Sequence, residues 1–404
     1  MDETKIQPIA EWLTGESLKG SSDSVLFQGL CDQLAAAGVP LLRANISYRS
    51  LHPLYGGHSY TWWRADELQT TDWERRWGNV GTGDDGFKAS PYYHMLATNE
   101  SRLRYRLNQS NAPLPFPILD ELREKGGTDY VGMAMSFEQE GNLQAESGMV
   151  SSWTGTGVHG FSSDEVVALE RLVPMLALGV KSGSNYRMAQ AMLETYLGKD
   201  AGRRVLSGQI DRGSITSISA VLWFADLQGF TRMAEVLPQE DLVKLLNEYF
   251  DCMVGAVHAE GGQVLKFMGD GLLAFFPLDG GADACGQALR AADAVMAGVS
   301  ELNASRRAAN QPASDFYIAL HLGEMMYGNI GSHDRLDFTV IGPAVNEVSR
   351  IEAMCRPLDR SLLISSAFAK AAGDCGGRLV SVGRYALRGV QKPQELYTLV
   401  PTDA

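Results

Sequence analysis

The chain has 404 residues, enough for two or three domains that each bury a core of their own. Hydrophobic residues at 45% and charged residues at 21% are ordinary for a globular protein, and a net charge of −13 argues against a general nucleic-acid or anionic-membrane binder, which needs a basic face. The five cysteines (31, 252, 285, 355 and 375) lack C-x-x-C spacing, so neither a zinc site nor a disulfide framework is indicated.

The opening MDETKIQPIAEW carries acids where a signal peptide needs basic and then apolar residues, so a cytoplasmic location is expected. A tryptophan-rich stretch, Trp62 to Trp77, reads as core packing before a ligand pocket, and GNVGTGDDG and NAPLPFP read as loops. His52, His58 and His94 read as surface or hydrogen-bonded side chains before haem ligands. YVGMAMSF and MVSSWT are strand-like, with NLQAESG as the turn or edge between them. FSSDEVVALERL opens a helix, with Ser162 as N-cap and Glu165 placed for the reciprocal contact. LVPMLALGV inside it is far short of the ~20 residues a spanning helix needs, so no membrane insertion is expected. A further helical stretch over 186–206 sets Met188, Met192 and Tyr196 at i, i+4 and i+8. That stripe suits either a second copy of itself or its own domain.

From about residue 211 strands and helices alternate. SAVLWFA is a strand. QEDLVKLLNEYFDCMVGAVHAEGG is an amphipathic helix with Leu242, Leu246, Tyr249, Met253 and Val257 on one face and a Gly261-Gly262 stop. QVLKFM and LLAFFP make a hairpin about Gly269-Asp270-Gly271. A helix over ADACGQALRAADAVMAGVSEL, a strand at YIALHLGEM, a helix at VNEVSRIEAMC, a strand running into a helix at SLLISSAFA and a closing strand pair follow. The order predicts an α+β fold with helices on one face of a mostly antiparallel sheet.

Asp226 closes the first of these strands, and Asp270 sits at the hairpin tip. If the strand lies beside the hairpin, two carboxylates meet at one end of the sheet and repel unless a cation separates them. Oxygen donors on tight loops suit magnesium, which shares its shell with substrate phosphates. Leu227–Gln228–Gly229–Phe230–Thr231 leads into a helix, so its free N–H groups are placed for phosphate oxygens. Taken singly, each feature has a plainer reading: a strand-end Asp as a helix cap, Gly-Asp-Gly as a turn.

Together FADLQGFT, VLKFMGDGLLAFF and DFTVIGPAVNEVSRIE, over roughly 215–400, resemble the catalytic domain of the class III nucleotide cyclases, a ferredoxin-like, palm-type fold. The resemblance implies that Asp226 and Asp270 hold two ions per site, Mg2+ or Mn2+, with the main-chain carbonyl of Leu227 as a further ligand. Gly229, Phe230 and Thr231 would receive the phosphates. Lys266 and Thr339 would read the purine, as in a bacterial adenine-selecting subgroup: a cation donates to adenine N1, whereas guanine presents donors at N1 and N2. Asn346 would orient the ribose and Arg350 stabilise charge on the reacting phosphate, and Arg388 stands where members often carry a lysine for the terminal phosphates. Pro343 replaces a frequent aspartate without removing an assigned ligand. Read by spacing alone, Lys266 is a solvated strand residue and Arg350 a partner for Glu347.

The implied activity is adenylate cyclase, turning ATP into 3′,5′-cyclic AMP and pyrophosphate. Its partner is a second copy of the chain, because the family divides each site between two chains. Guanylate cyclase and a catalytically silent ATP sensor are the alternatives. TDYVGMAMSF, MVSSWT and the helix after them resemble the end of a GAF-type sensor domain of α/β type, with room for a small-molecule effector. The expected division is therefore a sensor over 1–183, a helical connector over 184–210 and the cyclase domain over 211–404.

Overall fold

The computed structural model describes residues 2–49, 55–64, 66, 68–74, 85–109, 114–137, 148–278, 283–390 and 392–400, with 55–56, 72–74, 85 and 374–376 by backbone alone. His52, most of GNVGTGDDG and NLQAESG up to residue 147 lie outside the described residues. The chain divides into two compact units, Met1–Met192 and Leu193–Ala404.

The first unit contains α1 (Glu3–Leu18), α2 (Asp23–Ala36), β1 (Leu41–Arg49), β2 (Tyr55–Trp63), β3 (Gln69–Glu74), α3 (Asp85–Lys88), α4 (Pro91–Thr98), β4 (Arg102–Arg106), α5 (Pro117–Glu124), β5 (Asp129–Ser136), β6 (Gly148–Gly155) and most of α6 (Ser163–Leu197). Its antiparallel sheet runs β3-β2-β1-β6-β5-β4. Apolar residues of α1, α2 and α6, among them Leu13, Leu30 and Leu172, pack on Ala44, Ile46 and Trp153. Trp62 joins this core, while Trp63 lies under the cations of Arg43 and Lys125. The capping pair that starts α6 is formed in both directions: Ser162 N–H donates to Glu165 Oε2 at 2.7 Å and Glu165 N–H to Ser162 Oγ at 3.3 Å. YVGMAMSF and MVSSWT are the last two strands of the unit. The four earlier strands have no counterpart in the sequence reading, because polar residues such as Asn45 and Ser47 interleave with their core residues.

The second unit contains α7 (Lys199–Leu206), β7 (Ile215–Leu227), α8 (Phe230–Val236), α9 (Gln239–Ala259), β8 (Gln263–Met268), β9 (Gly271–Pro277), α10 (Ala284–Ala308), β10 (Phe316–Gly331), β11 (Leu336–Ile341), α11 (Pro343–Glu352), α12 (Cys355–Leu358), β12 (Leu362–Ser365), α13 (Ser366–Ala371), β13 (Leu379–Tyr385) and β14 (Gln394–Leu399). The sheet order is β13-β14-β12-β10-β7-β9-β8, with β11 on β10; among the described residues only the β10–β12 pairing is parallel. The mostly antiparallel α+β expectation is met.

The expectation of helices on one face is corrected. Val221, Trp223 and Ala225 of β7 face α9, α10 and α13, whereas Ala220 and Leu222 face α11 and Ala201 of α7. A central strand buried on both sides reads as one apolar run, so its sequence cannot reveal how many faces are covered. The buried stripe of α9 is likewise Leu245, Tyr249, Met253 and Val257; Leu242 and Leu246 are its half-buried flanks. Pro343 is the first residue of α11, where its missing N–H costs nothing.

Candidate active site

The two acids are brought together by strand pairing. Asp226, next to last in β7, pairs in register with Gly271, the first residue of β9, and Asp270 precedes it at the hairpin tip. Gly271 has to be glycine for this approach: a Cβ there would lie 2.9 Å from the Ala225 carbonyl and 3.1 Å from Asp226 Oδ1. The two side chains share a hydrogen bond. Burial first, and then the charge of Asp270, push the Asp226 carboxyl up to about 6, against only the Leu227 N–H that donates to it. No cation contributes. A third acid, missed in the sequence, stands near: Glu352 of α11 is pushed up to about 7 by burial and by the charges of Asp226 and Asp270.

An uncompensated pair of half-buried carboxylates is the arrangement that a hard cation relieves. Among the described residues no three His, Cys, Asp or Glu groups form a complete metal cage. Two carboxylates therefore fit an ion that completes its shell with water and phosphate oxygens, the habit of magnesium and of manganese. The side chain of Leu227 is buried, so only its main chain faces the loop. Next to it the Gln228 N–H is taken by the Asp315 carbonyl at 2.8 Å, while Arg232 and Met233 N–H both turn back to the Gly229 carbonyl. Gly229 adopts φ +69 as the N-cap of α8, and the N–H groups of Gly229, Phe230 and Thr231 are left without a protein partner among the described residues.

The basic and polar candidates lie on β8, β11, α11 and the loop after β13. Lys266 on β8 reaches across to β11, its Nζ 3.0 Å from Asp337 Oδ2. Thr339, two residues further on and so on the same side of β11, is 8% exposed and stands opposite Gly328 of β10. Asp337 gave no sequence signal beyond its charge. Asn346 and Arg350 share one face of α11, with Asn346 exposed. The Arg350 guanidinium packs against Gly389, where an added Cβ would lie 3.1 Å from Nη1, and so beside the exposed Arg388. The alternative Arg350–Glu347 pair is not formed: Glu347 Oε1 lies 3.9 Å from Nδ1 of buried His321. Among the described residues neither arginine has a carboxylate partner, and no ion pair joins Asp226 or Asp270 to Lys266, Arg350 or Arg388. The acid pair and the basic candidates are thus unpaired with one another among the described residues.

Residues 214–401 match the family described as Adenylate and Guanylate cyclase catalytic domain. An adenylate cyclase of Anabaena cylindrica is 32% identical over 160 residues, which cover 39% of this chain and 31% of that protein. Adenylate cyclase 1 of Rhizobium meliloti is 33% identical over 146 residues, covering 36% and 22%. The chain thus spans no more than about a third of the length of these curated relatives. Among solved structures, the adenylyl cyclase CyaB from P. aeruginosa shares 27% identity at a TM-score of 0.43, covering 47% of this chain and 97% of that one. The guanylyl cyclase Cya2 shares 29% at 0.41, covering 47% and 94%. Every one of these matches covers less than half of the chain, and the family match falls on the unit that carries both the acid pair and the basic candidates. That unit holds an adenylate and guanylate cyclase catalytic domain.

Proposed function

We propose that the chain is an adenylate cyclase, converting ATP into 3′,5′-cyclic AMP and pyrophosphate at two sites shared across a homodimer. One observation carries this reading: among the described residues the paired acids form no ion pair with a cation, and the arginines that would face a triphosphate form none with an acid. Two copies related by a two-fold axis bring the acidic half of each chain to the basic half of its partner, twice.

Asp226 and Asp270 would hold Mg2+ or Mn2+, with the Leu227 carbonyl as a further ligand. Bound there, two ions lower the proton affinity of the ribose 3′-hydroxyl and neutralise the triphosphate. The chain supplies the positioning. Lys266 donates to adenine N1, and the Thr339 hydroxyl accepts from the 6-amino group. The N–H groups of Gly229–Thr231 and the Arg388 guanidinium receive phosphate oxygens. Asn346 orients the ribose so that the 3′-oxygen lies in line with the α-phosphorus and the pyrophosphate leaving group. As the new P–O bond forms and the old one breaks, Arg350 stabilises the charge on the equatorial oxygens.

GTP is the second reading, and Asp337 favours it: a carboxylate beside Lys266 matches the donors at guanine N1 and N2. Lys266 is held by that carboxylate and screens it, which keeps ATP ahead. The first unit reads as a GAF-like sensor acting through residues 186–206, where the single helix expected from the sequence is instead the end of α6 and, after a break at Gly198, α7. Its six-stranded antiparallel sheet, with α1, α2 and α6 packed on one face and α4 and α5 on the other, supports this. So do the exposures of Met192, 39%, and Tyr196, 83%, which leave the stripe free for a second copy.

Product analysis by HPLC tests the reaction: the purified chain with ATP or GTP, and magnesium or manganese, beside Asp226→Ala. Cyclic AMP that vanishes in the variant is expected. Cyclic GMP in its place would select the second reading. Bound ATP without any cyclic product would leave the silent sensor.

A further inference from the structure

The break between α6 and α7 and the first turn of α7 touch β8, which carries Lys266, and β10, on which the strand of Thr339 is paired. Gly198, at the break, adopts φ +85, and a Cβ there would lie 2.9 Å from the Val264 carbonyl. Val264 is two residues before Lys266 on β8, and the pairing of β8 with β9 shifts register between those two residues. A local shift at Val264 is therefore passed to the strand segment that aims Lys266.

On the other side, α7 grips β10. The Tyr327 hydroxyl hydrogen-bonds Asp200, and burial and that carboxylate hold it well above its usual range. Arg204 Nε donates to Asp200 Oδ2 at 2.7 Å, and its guanidinium lies over the Tyr327 ring, 5.3 Å from the centroid. Tyr327, 3% exposed, meets Phe338 edge to face with centroids 4.8 Å apart and stands opposite Val340. Phe338 and Val340 flank Thr339 on β11, so the Asp200–Tyr327–Arg204 clasp fixes the strand from which Thr339 projects. Gly198, Asp200, Val264 and Tyr327 also line one small cavity of 40 Å³. Nothing in catalysis uses these four residues directly.

The geometry points to Gly198 and Tyr327 as positioning residues for purine selection: the connector sets the spacing between Lys266 on β8 and Thr339 on β11. This rests on the cyclase reading of the site. A helix docked only for stability would affect folding and leave the choice between purines alone. A brace for the purine pocket changes half-saturation and selectivity before it changes turnover.

The test uses the full chain with Tyr327→Phe, which keeps the ring and loses the hydroxyl bonded to Asp200, and Asp200→Asn as a second disruption of the clasp. ATP and GTP turnover, KM and thermal melting are measured in parallel. The expected result is a rise in KM for ATP and a fall in the ATP-to-GTP ratio of kcat/KM, each by about fivefold or more. Maximal ATP turnover stays within about twofold in the same variants. A lowered melting temperature with unchanged selectivity and KM overturns the proposal and leaves the functional reading intact. If the unaltered chain turns over neither nucleotide, the functional reading falls instead. The variants are then judged by binding of fluorescent ATP and GTP analogues, and an unchanged ratio of affinities overturns the positioning role.

Discussion

His321 sits 5% exposed on β10 beneath α11, its Nδ1 buried without a hydrogen-bond partner and 3.9 Å from Glu347 Oε1. Burial pushes its imidazole down to about 4. Below the ordinary histidine value of about 6.5 the unfolded chain takes up a proton that the folded chain refuses. The stability tied to neutral His321 is therefore whole above that pH and is lost progressively as the pH falls toward 4. Asp226 and Glu352 pull the other way: their raised carboxyls hold protons in the fold that the unfolded chain gives up, so their cost grows from about pH 4 to between 6 and 7. His321→Gln should thus be less destabilising, relative to the parent, at pH 5 than at pH 7.5 in urea denaturation. Equal losses at both pH values would refute this account. The acid pair gives a second prediction. Manganese at a hundred times its Kd adds about 2.7 kcal/mol and raises the melting temperature by several degrees. Asp226→Asn should abolish that shift, while melting no lower than the parent without metal, since the repulsion with Asp270 is relieved. At this scale Asp226 and Asp270 were legible because a charge at a strand end or hairpin tip interrupts an apolar pattern, whereas Lys266, a solvated strand residue by spacing, stood out only through the family resemblance. Glu352 and Asp337 were not, because nothing in their local sequence says that they face other acids or Lys266.

Elements with a punctuated start were the easiest to read. Ser162 and Glu165 announce α6 and form the pair expected of them. Ser162→Ala should cost about 1 kcal/mol of stability. Urea denaturation followed by the fluorescence of Trp153 in the first unit reads this, and a change under about 0.3 kcal/mol would show that the cap is idle. The hairpin about Asp270 was equally plain, since Gly269, at φ +69, marks the turn. The second layer of helices on the cyclase sheet was hidden for the opposite reason. From Ala220 to Ala225 alternate residues of β7 serve opposite faces, and all are apolar, so the pattern that normally names the buried side is erased. In the first unit β1 alternates core residues such as Ala44 and Ile46 with Asn45 and Ser47, whose polar groups bond to neighbouring strands instead of solvent. A buried polar face resembles a solvated one in sequence, and those strands are recovered only from their pairing.

At the scale of the whole molecule, the proposed sharing of each site between two copies makes a strong demand. An Asp270→Ala chain and an Arg350→Ala chain should each be inactive alone. Mixed in equal amounts and allowed to exchange, half of the dimers are mixed and each carries one intact site of two, so about a quarter of the parental activity returns. No recovery, with exchange shown by tagged chains, would end the shared-site arrangement. The 16-residue strand β10 lends that experiment a further meaning. Near its start Tyr317 pairs with Asp226, and near its end Gly328 pairs with Thr339. In the shared arrangement those ends serve different sites, so a single unbroken strand runs from the ion-holding end of one to the base-reading end of the other. A nucleotide that tightens one end pulls on a common tether. The mixed dimer, with one working site and one broken one, then reports the tension directly, as a half-saturating ATP concentration different from that of the parent.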